Sequence, residues 1–113
     1  ALPISGEGRL ACGHFHDTRG LGLANVYAAW SVGVRRFDAC VGGIGGCPHA
    51  PGASGNVATE DVAYLFASMG QPTGLDFERL MALRGQIAVW LEGEPLHGSI
   101  WRAGLPKTLR VAA

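Results

Sequence analysis

The sequence predicts an α/β protein with parallel strands, and three observations carry that expectation. Short apolar runs alternate with stretches of helical periodicity in the order strand, helix, strand, glycine-rich loop, helix, helix. A helical stretch, rather than a tight turn, separates the two strands, as parallel pairing requires. Each helical stretch has one apolar face, which suits it to cover a sheet.

The first strand is expected from Arg9 to His16, an apolar run that ends at Asp17-Thr18-Arg19-Gly20. Leu23, Val26, Tyr27 and Trp30 recur at three- and four-residue intervals, and Gly33 supplies a stop, so residues 21–32 read as a helix. A second strand, Val34 to Val41, follows at once. Beyond the glycine-rich loop, Val62, Leu65, Phe66 and Met69 fall at i, i+3, i+4 and i+7, with Asn56 placed to cap at Val57 and Gly70 at the end. Leu80, Leu83, Ile87 and Leu91 mark a last helix between Pro72-Thr73-Gly74 and Gly93-Glu94-Pro95. Residues 1–8 read as an atypical N-terminal segment, 9–92 as strand–helix units and 93–113 as a Gly/Pro-punctuated tail. Two parallel strands do not make a stable sheet of this type. The chain is therefore expected to be incomplete on its own, with apolar helix faces at Val62, Leu65, Phe66 and Met69 left uncovered.

Composition excludes several classes of function. With 113 residues, the chain is one domain or part of one. Nine basic and nine acidic side chains cancel and are scattered, so no footprint for nucleic acid or an anionic membrane is expected. The uncharged run from Ala39 to Val57 is broken by six glycines and two prolines and cannot be a spanning helix. Three cysteines cannot all pair internally and no signal-peptide pattern opens the chain, so a reducing, cytoplasmic setting is expected. The abundance of Arg, Ala and Gly points to a bacterial source.

Six of the fourteen residues from Gly42 to Gly55 are glycine, which reads as a functional loop rather than a linker, because the flanks are small for autonomous domains. His14 and His16 stand two apart at a strand end, so both imidazoles point the same way and make an edge for a divalent metal. On its own His-x-His is weak and also fits two polar residues at a strand end. Asp17 adds a carboxylate, as a ligand or as the partner that fixes a tautomer, and His with carboxylate suits Mg²⁺, Mn²⁺ or Zn²⁺. There is no Cys-x-x-Cys pair for a structural zinc module. Cys47, at the exit of the glycine run, is either an inert thiol or a nucleophile or proton donor brought to a substrate. Cys12 and Cys40 sit within the apolar strands and read as structural, and His49 and His97 read as surface residues without partners. Glu60 and Asp61 either favour the helix dipole or order the loop.

The stretches from Gly13 to Gly20, from Gly42 to Pro48 and from Gly52 to Asp61 closely resemble the 3-hydroxy-3-methylglutaryl-CoA lyase family, over roughly residues 9–92. His-x-His-Asp is shared with a wider group of metal-dependent (β/α)₈ barrels that includes isopropylmalate and homocitrate synthases, whereas the cysteine-bearing glycine loop belongs to the lyases. The resemblance implies the C-terminal part of a (β/α)₈ barrel with its site at the carboxyl ends of the strands. It implies that His14, His16 and Asn56 bind Mg²⁺ or Mn²⁺, that Cys47 and His14 are catalytic, and that Gly45, Gly46, Asp17 and Glu60 lie near the loop and substrate. The implied reaction is cleavage of 3-hydroxy-3-methylglutaryl-CoA to acetoacetate and acetyl-CoA, with an acyl-CoA as substrate and a homo-oligomer as the complete enzyme. The family's first-strand Arg-Asp pair is not in this sequence. The rivals are a non-catalytic barrel fragment needing a partner chain and a related acyl-CoA condensing synthase.

Overall fold

In the computed structural model, the described residues are 11–46 and 55–107. Strand β1 (Gly13–His14) leads to helix α1 (Gly22–Ser31), strand β2 (Phe37–Asp38) and a 3₁₀ turn at Val41–Gly43. Helices α2 (Thr59–Ser68), α3 (Phe77–Trp90) and α4 (Ser99–Ala103) follow. None of these helices is long and apolar enough to cross a membrane.

The strands pair in parallel, Gly13 with Phe37 and His14 with Asp38, as their order predicts. Their regular ladders are shorter than expected because each strand shares its backbone groups with a third extended stretch, residues 56–58. Two bonds flank the pairing of His16 with Asn56: Asp17 N–H to the Gly55 carbonyl (3.2 Å) and Val57 N–H to the Phe15 carbonyl (3.0 Å). On the other side Cys40 pairs with Ala58, its N–H donating to the Val57 carbonyl (3.2 Å) and its carbonyl accepting from Thr59 N–H (3.0 Å). Asn56 therefore does not cap a helix at Val57: it lies in an extended stretch, and α2 starts at Thr59 with no side-chain cap.

Helix α1 buries Gly22, Val26 and Ala29. Tyr27, expected on that face, is 53% exposed, because it stands about 100° round the helix from Val26 and the small Ala29 takes the inward place. Gly33, at φ 105°, ends the helix as expected, its N–H donating to the Trp30 carbonyl. The apolar stripe of α2 is covered, contrary to the expectation. Val62 and Phe66 are buried with Val26 and Val57, and Leu65 and Met69 pack against that cluster. Phe66 meets Trp30 and Phe37 at ring-centroid distances of 5.2 and 5.5 Å, so it joins α1, α2 and β2.

Helix α3 is capped by Asp76, whose side chain accepts from Arg79 N–H. Its inward line is Phe77, Leu80 and Arg84 rather than the expected Leu80, Leu83, Ile87 and Leu91, and Leu83 is 44% exposed. The third inward position is a buried charge that pairs with α2. The stretch read as a tail contains α4, whose first amides, of Ser99 and Ile100, donate to the Asp61 carboxylate at 3.0 and 2.9 Å.

The packing predicts a contrast between two aromatic residues. Phe66→Ala should cost about 3–5 kcal/mol, the usual range for a buried Phe, while Tyr27→Ala should stay within about 0.5 kcal/mol, as at exposed sites. Urea unfolding of both variants and the parent chain measures the difference.

Candidate metal centre

The strand register builds the site. Because His14 lies directly opposite Asp38, their side chains share a face, and His14 Nδ1 is 2.5 Å from Asp38 Oδ1. The carboxylate accepts Nδ1–H and so leaves Nε2 as the free lone pair of the ring. His16, two residues on, brings its own Nε2 to 3.3 Å from that of His14, with the ring planes 77° apart. The site is open: His14 and Asp38 side chains are 53% and 57% exposed.

Asn56 is brought to the same face by its pairing with His16. Its Nδ2 donates to the Ile44 carbonyl (3.1 Å), and its buried Oδ1 has no hydrogen-bond partner among the described residues. A buried amide oxygen without a donor is costly, and a cation is one group that would satisfy it. Two imidazole nitrogens and an amide oxygen suit a divalent ion that accepts both nitrogen and oxygen ligands. Two metal–nitrogen bonds of about 2.0–2.2 Å span roughly 3.3 Å at angles between square and tetrahedral, so the observed nitrogen separation fits. Among the described residues no group of three or more His, Cys, Asp and Glu side chains could hold a metal; the Asn56 amide is the candidate third donor.

The glycine-rich loop leaves and returns beside Asn56. Gly42, Gly43 and Gly45 have φ of 71°, 65° and 97°, a region that side chains other than glycine rarely enter. The Ile44 carbonyl accepts from the Asn56 backbone N–H as well as from its side chain, both at 3.1 Å. Gly55 closes this neck, since any Cβ there would overlap the carbonyl oxygens of Gly43 and Ile44. A Cβ on Gly45 would lie 2.7 Å from Asn56 Nδ2, so Gly45 stands directly against the candidate ligand, while Gly46 is exposed. Cys47 lies outside the described residues, as do Pro48 and His49.

Several expected roles change hands. Asp17 Oδ1 accepts the Gly22 N–H at 2.9 Å and serves the start of α1, so the partner that fixes the His14 tautomer is Asp38. Asp38 carries no signal in the sequence, because sequence does not disclose which residues of two strands stand opposite each other. Glu60 is fully buried: Gly42 N–H is 3.1 Å from each carboxylate oxygen, and Arg84 Nη1 donates to Oε2 at 2.7 Å. Glu60 lies in the first turn of α2, as the dipole reading has it, and its carboxylate also contacts the base of the loop. Arg84 does carry a signal in the sequence, as a lone Arg in helical register with Phe77 and Leu80. Cys12 is exposed just before β1 rather than inside a strand, and Cys40 is half-buried. The His97 side chain is exposed as expected, but its backbone N–H donates to the Gly42 carbonyl at 2.7 Å.

Fold and site together define a parallel α/β protein whose strand ends present nitrogen and oxygen donors suited to a divalent cation. Comparison with known proteins sharpens that class. The HMGL-like family matches residues 6–87. A (R)-citramalyl-CoA lyase of Chloroflexus aurantiacus is 50% identical over 91 residues, covering 80% of this chain and 28% of the relative. A hydroxymethylglutaryl-CoA lyase of Pseudomonas mevalonii is 49% identical over 100 residues, covering 88% and 32%. Among solved structures, an HMG-CoA lyase from Acinetobacter baumannii in complex with coenzyme A and 3-methylmalate superposes with a TM-score of 0.76 at 48% identity, covering 85% of this chain and 31% of that one. The chain belongs to the HMGL-like family. It spans about a third or less of the length of the relatives it matches.

The neck predicts opposite effects for two glycine substitutions. Gly55→Ala should destabilise the chain by about 1–3 kcal/mol, the usual cost of overpacking. Gly85→Ala, inside α3 where the nearest atom to an added Cβ is 3.7 Å away, should stabilise it by roughly 0.5–1 kcal/mol. Urea midpoints of the two variants test the sign of each.

Proposed function

We propose that the chain forms the C-terminal part of a (β/α)₈ barrel whose site cleaves an acyl-CoA, 3-hydroxy-3-methylglutaryl-CoA, to acetoacetate and acetyl-CoA. The observation that carries this reading is the pair of imidazole nitrogens 3.3 Å apart, on the face that also holds the Asn56 oxygen, which has no partner among the described residues, at the neck of the glycine loop. Relatives named as lyases of CoA thioesters support it.

His14, His16 and Asn56 would hold the metal. Bound there, Mg²⁺ or Mn²⁺ supplies Lewis-acid polarisation of substrate oxygen atoms. Transfer of the substrate's hydroxyl proton to a general base contributed by the remaining part of the barrel turns that C–O group into the carbonyl of acetoacetate. The electron pair of the breaking C–C bond passes to the carbon beside the thioester, which takes up a proton to become acetyl-CoA. Cys47 Sγ is the proposed donor of that proton. Asp38 holds the His14 Nδ1–H and keeps Nε2 turned to the site. Gly45 and Gly46 keep the departing loop thin, so that it can approach a bound acyl group and exclude water. The reading extends to a homo-oligomeric enzyme of the bacterial cytoplasm.

A second substrate is favoured by one finding, the 50% identity with the Chloroflexus relative named as a (R)-citramalyl-CoA lyase. Turnover of both thioesters by a chimera that supplies the remaining part of the Pseudomonas relative separates the two.

Two outcomes are expected. In Mn²⁺ titrations of the chain followed by electron paramagnetic resonance, Asp38→Asn should weaken binding about 10–100-fold, the usual cost of losing the partner of a ligating histidine, and His16→Ala at least as much. Unchanged binding in both would remove the metal assignment. In the chimera, Cys47→Ser should lower kcat and kcat/KM together by about 10²–10⁴-fold, with Mn²⁺ binding intact; wild-type turnover would exclude Cys47 as the donor.

A further inference from the structure

Helix α3 carries one buried charge, and its contacts run toward the loop. Arg84 Nη1 donates to Glu60 Oε2 at 2.7 Å and to the His97 carbonyl at 2.5 Å, while its guanidinium carbon lies 5.0 Å from the centre of the Trp101 ring. Glu60 in turn accepts the Gly42 N–H, and the Gly42 carbonyl accepts the His97 N–H at 2.7 Å. The bonds form a closed circuit, Arg84 to Glu60 to Gly42 to His97 and back to Arg84. A Cβ on Gly42 would meet Leu96 at 3.1 Å, and one on Gly43 would meet His97 at 3.3 Å, so the segment lies directly on the glycine turn. Asp61, next to Glu60, holds the following two amides, of Ser99 and Ile100.

We propose that Arg84 is a positioning residue: through the Glu60 carboxylate and the His97 carbonyl it clamps the Gly42–Gly43 turn beneath residues 96–100 and sets the stem from which the cysteine loop departs. A guanidinium suits this place because Nη1 carries two coplanar N–H groups at the end of a long stem, so one nitrogen serves both acceptors from a fixed orientation, whereas the lysine ammonium ends a shorter stem. Glu60 converts that charge into a hold on one backbone amide. The sheet side of the neck, at Ile44 and Asn56, is fixed separately, so the clamp governs only where the loop begins. The role assigned to Cys47 rests on the proposed function; the clamp itself does not.

Arg84→Lys keeps a cation in the pocket. In the full 113-residue chain, amide hydrogen exchange should quicken by about tenfold or more at Gly42 and His97, with Cys40, Val26 and Ala29 unchanged. Alkylation of Cys47 by iodoacetamide, resolved by peptide mass spectrometry, should change in rate relative to Cys40. Unaltered exchange at Gly42 and His97 overturns the proposal, and so does exchange that quickens equally in α1, which would make the pair a general stabiliser. If Arg84→Lys does not fold, the neutral double variant Arg84→Met/Glu60→Gln gives the same reading, with His97 released if the clamp is real and protected if it is not. Neither measurement uses substrate or metal, so failure of the clamp and failure of the lyase reading remain distinguishable.

Discussion

The structure depends on the two hydrogen bonds made by the Val57 backbone. Its N–H donates toward β1, to the Phe15 carbonyl, and its carbonyl accepts from β2, at Cys40 N–H. That double engagement draws residues 56–58 against the ends of both strands, and it is why neither strand continues as a long ladder. It also locates the site: once Val57 is held, Asn56 must pair with His16 on one side, and α2 must begin just past Ala58 on the other. The Val57 side chain is almost wholly buried with Val26, Val62 and Phe66, so the bond pattern and the apolar core enforce the same placement.

Around that hub the molecule separates open chemistry from buried support. The histidine pair and Asp38 face solvent, where a ligand can reach them, and they sit on strand residues whose orientation the ladder dictates. The groups that hold the loop base are withdrawn from water. Burying a carboxylate and a guanidinium carries a large desolvation cost, which mutual attraction offsets only with good geometry and further hydrogen bonds. Glu60 meets that condition through Gly42 and Arg84, and Arg84 meets it in part through His97, although its Nε has no partner among the described residues. A pair of this kind is a poor source of net stability, but losing either member strands the other at a cost of about 3–5 kcal/mol. It is therefore better suited to specifying one arrangement of the turn than to raising the melting point.

The legible features were those whose physical cause is local. Alternation along a strand put His14 and His16 on one face, and Gly33 and Gly70 ended helices at positive φ, because these effects need only neighbouring residues. The α2 stripe was legible too, as a periodicity, while its covering by α1 was not. The features without a local signal are set by register or by distant partners. Asp38 faces His14 across two strands whose alignment no local signal specifies. Arg84 finds Glu60 twenty-four positions away, and α3 turns a face different from its leucine stripe because of that pair. Asn56 illustrates the competition directly: its residue type favours a helix cap, but the pairing with His16 and the bonds to Ile44 hold it in extended backbone.

Asn56 is also where the two halves of the site meet. Among the described residues the amide is satisfied at one end only, since Nδ2 is committed to the Ile44 carbonyl and Oδ1 meets no donor. The commitment of Nδ2 fixes which end faces away from the neck, and the contact with Gly45 leaves the side chain little room to turn. Any shift of the loop stem at Ile44 must therefore move the same amide whose oxygen is the candidate third donor. In this arrangement loop position and donor position are mechanically one quantity. That coupling gives the neck a reason to be bonded twice at Ile44: the amide keeps its place only while the stem that it bonds to keeps its own.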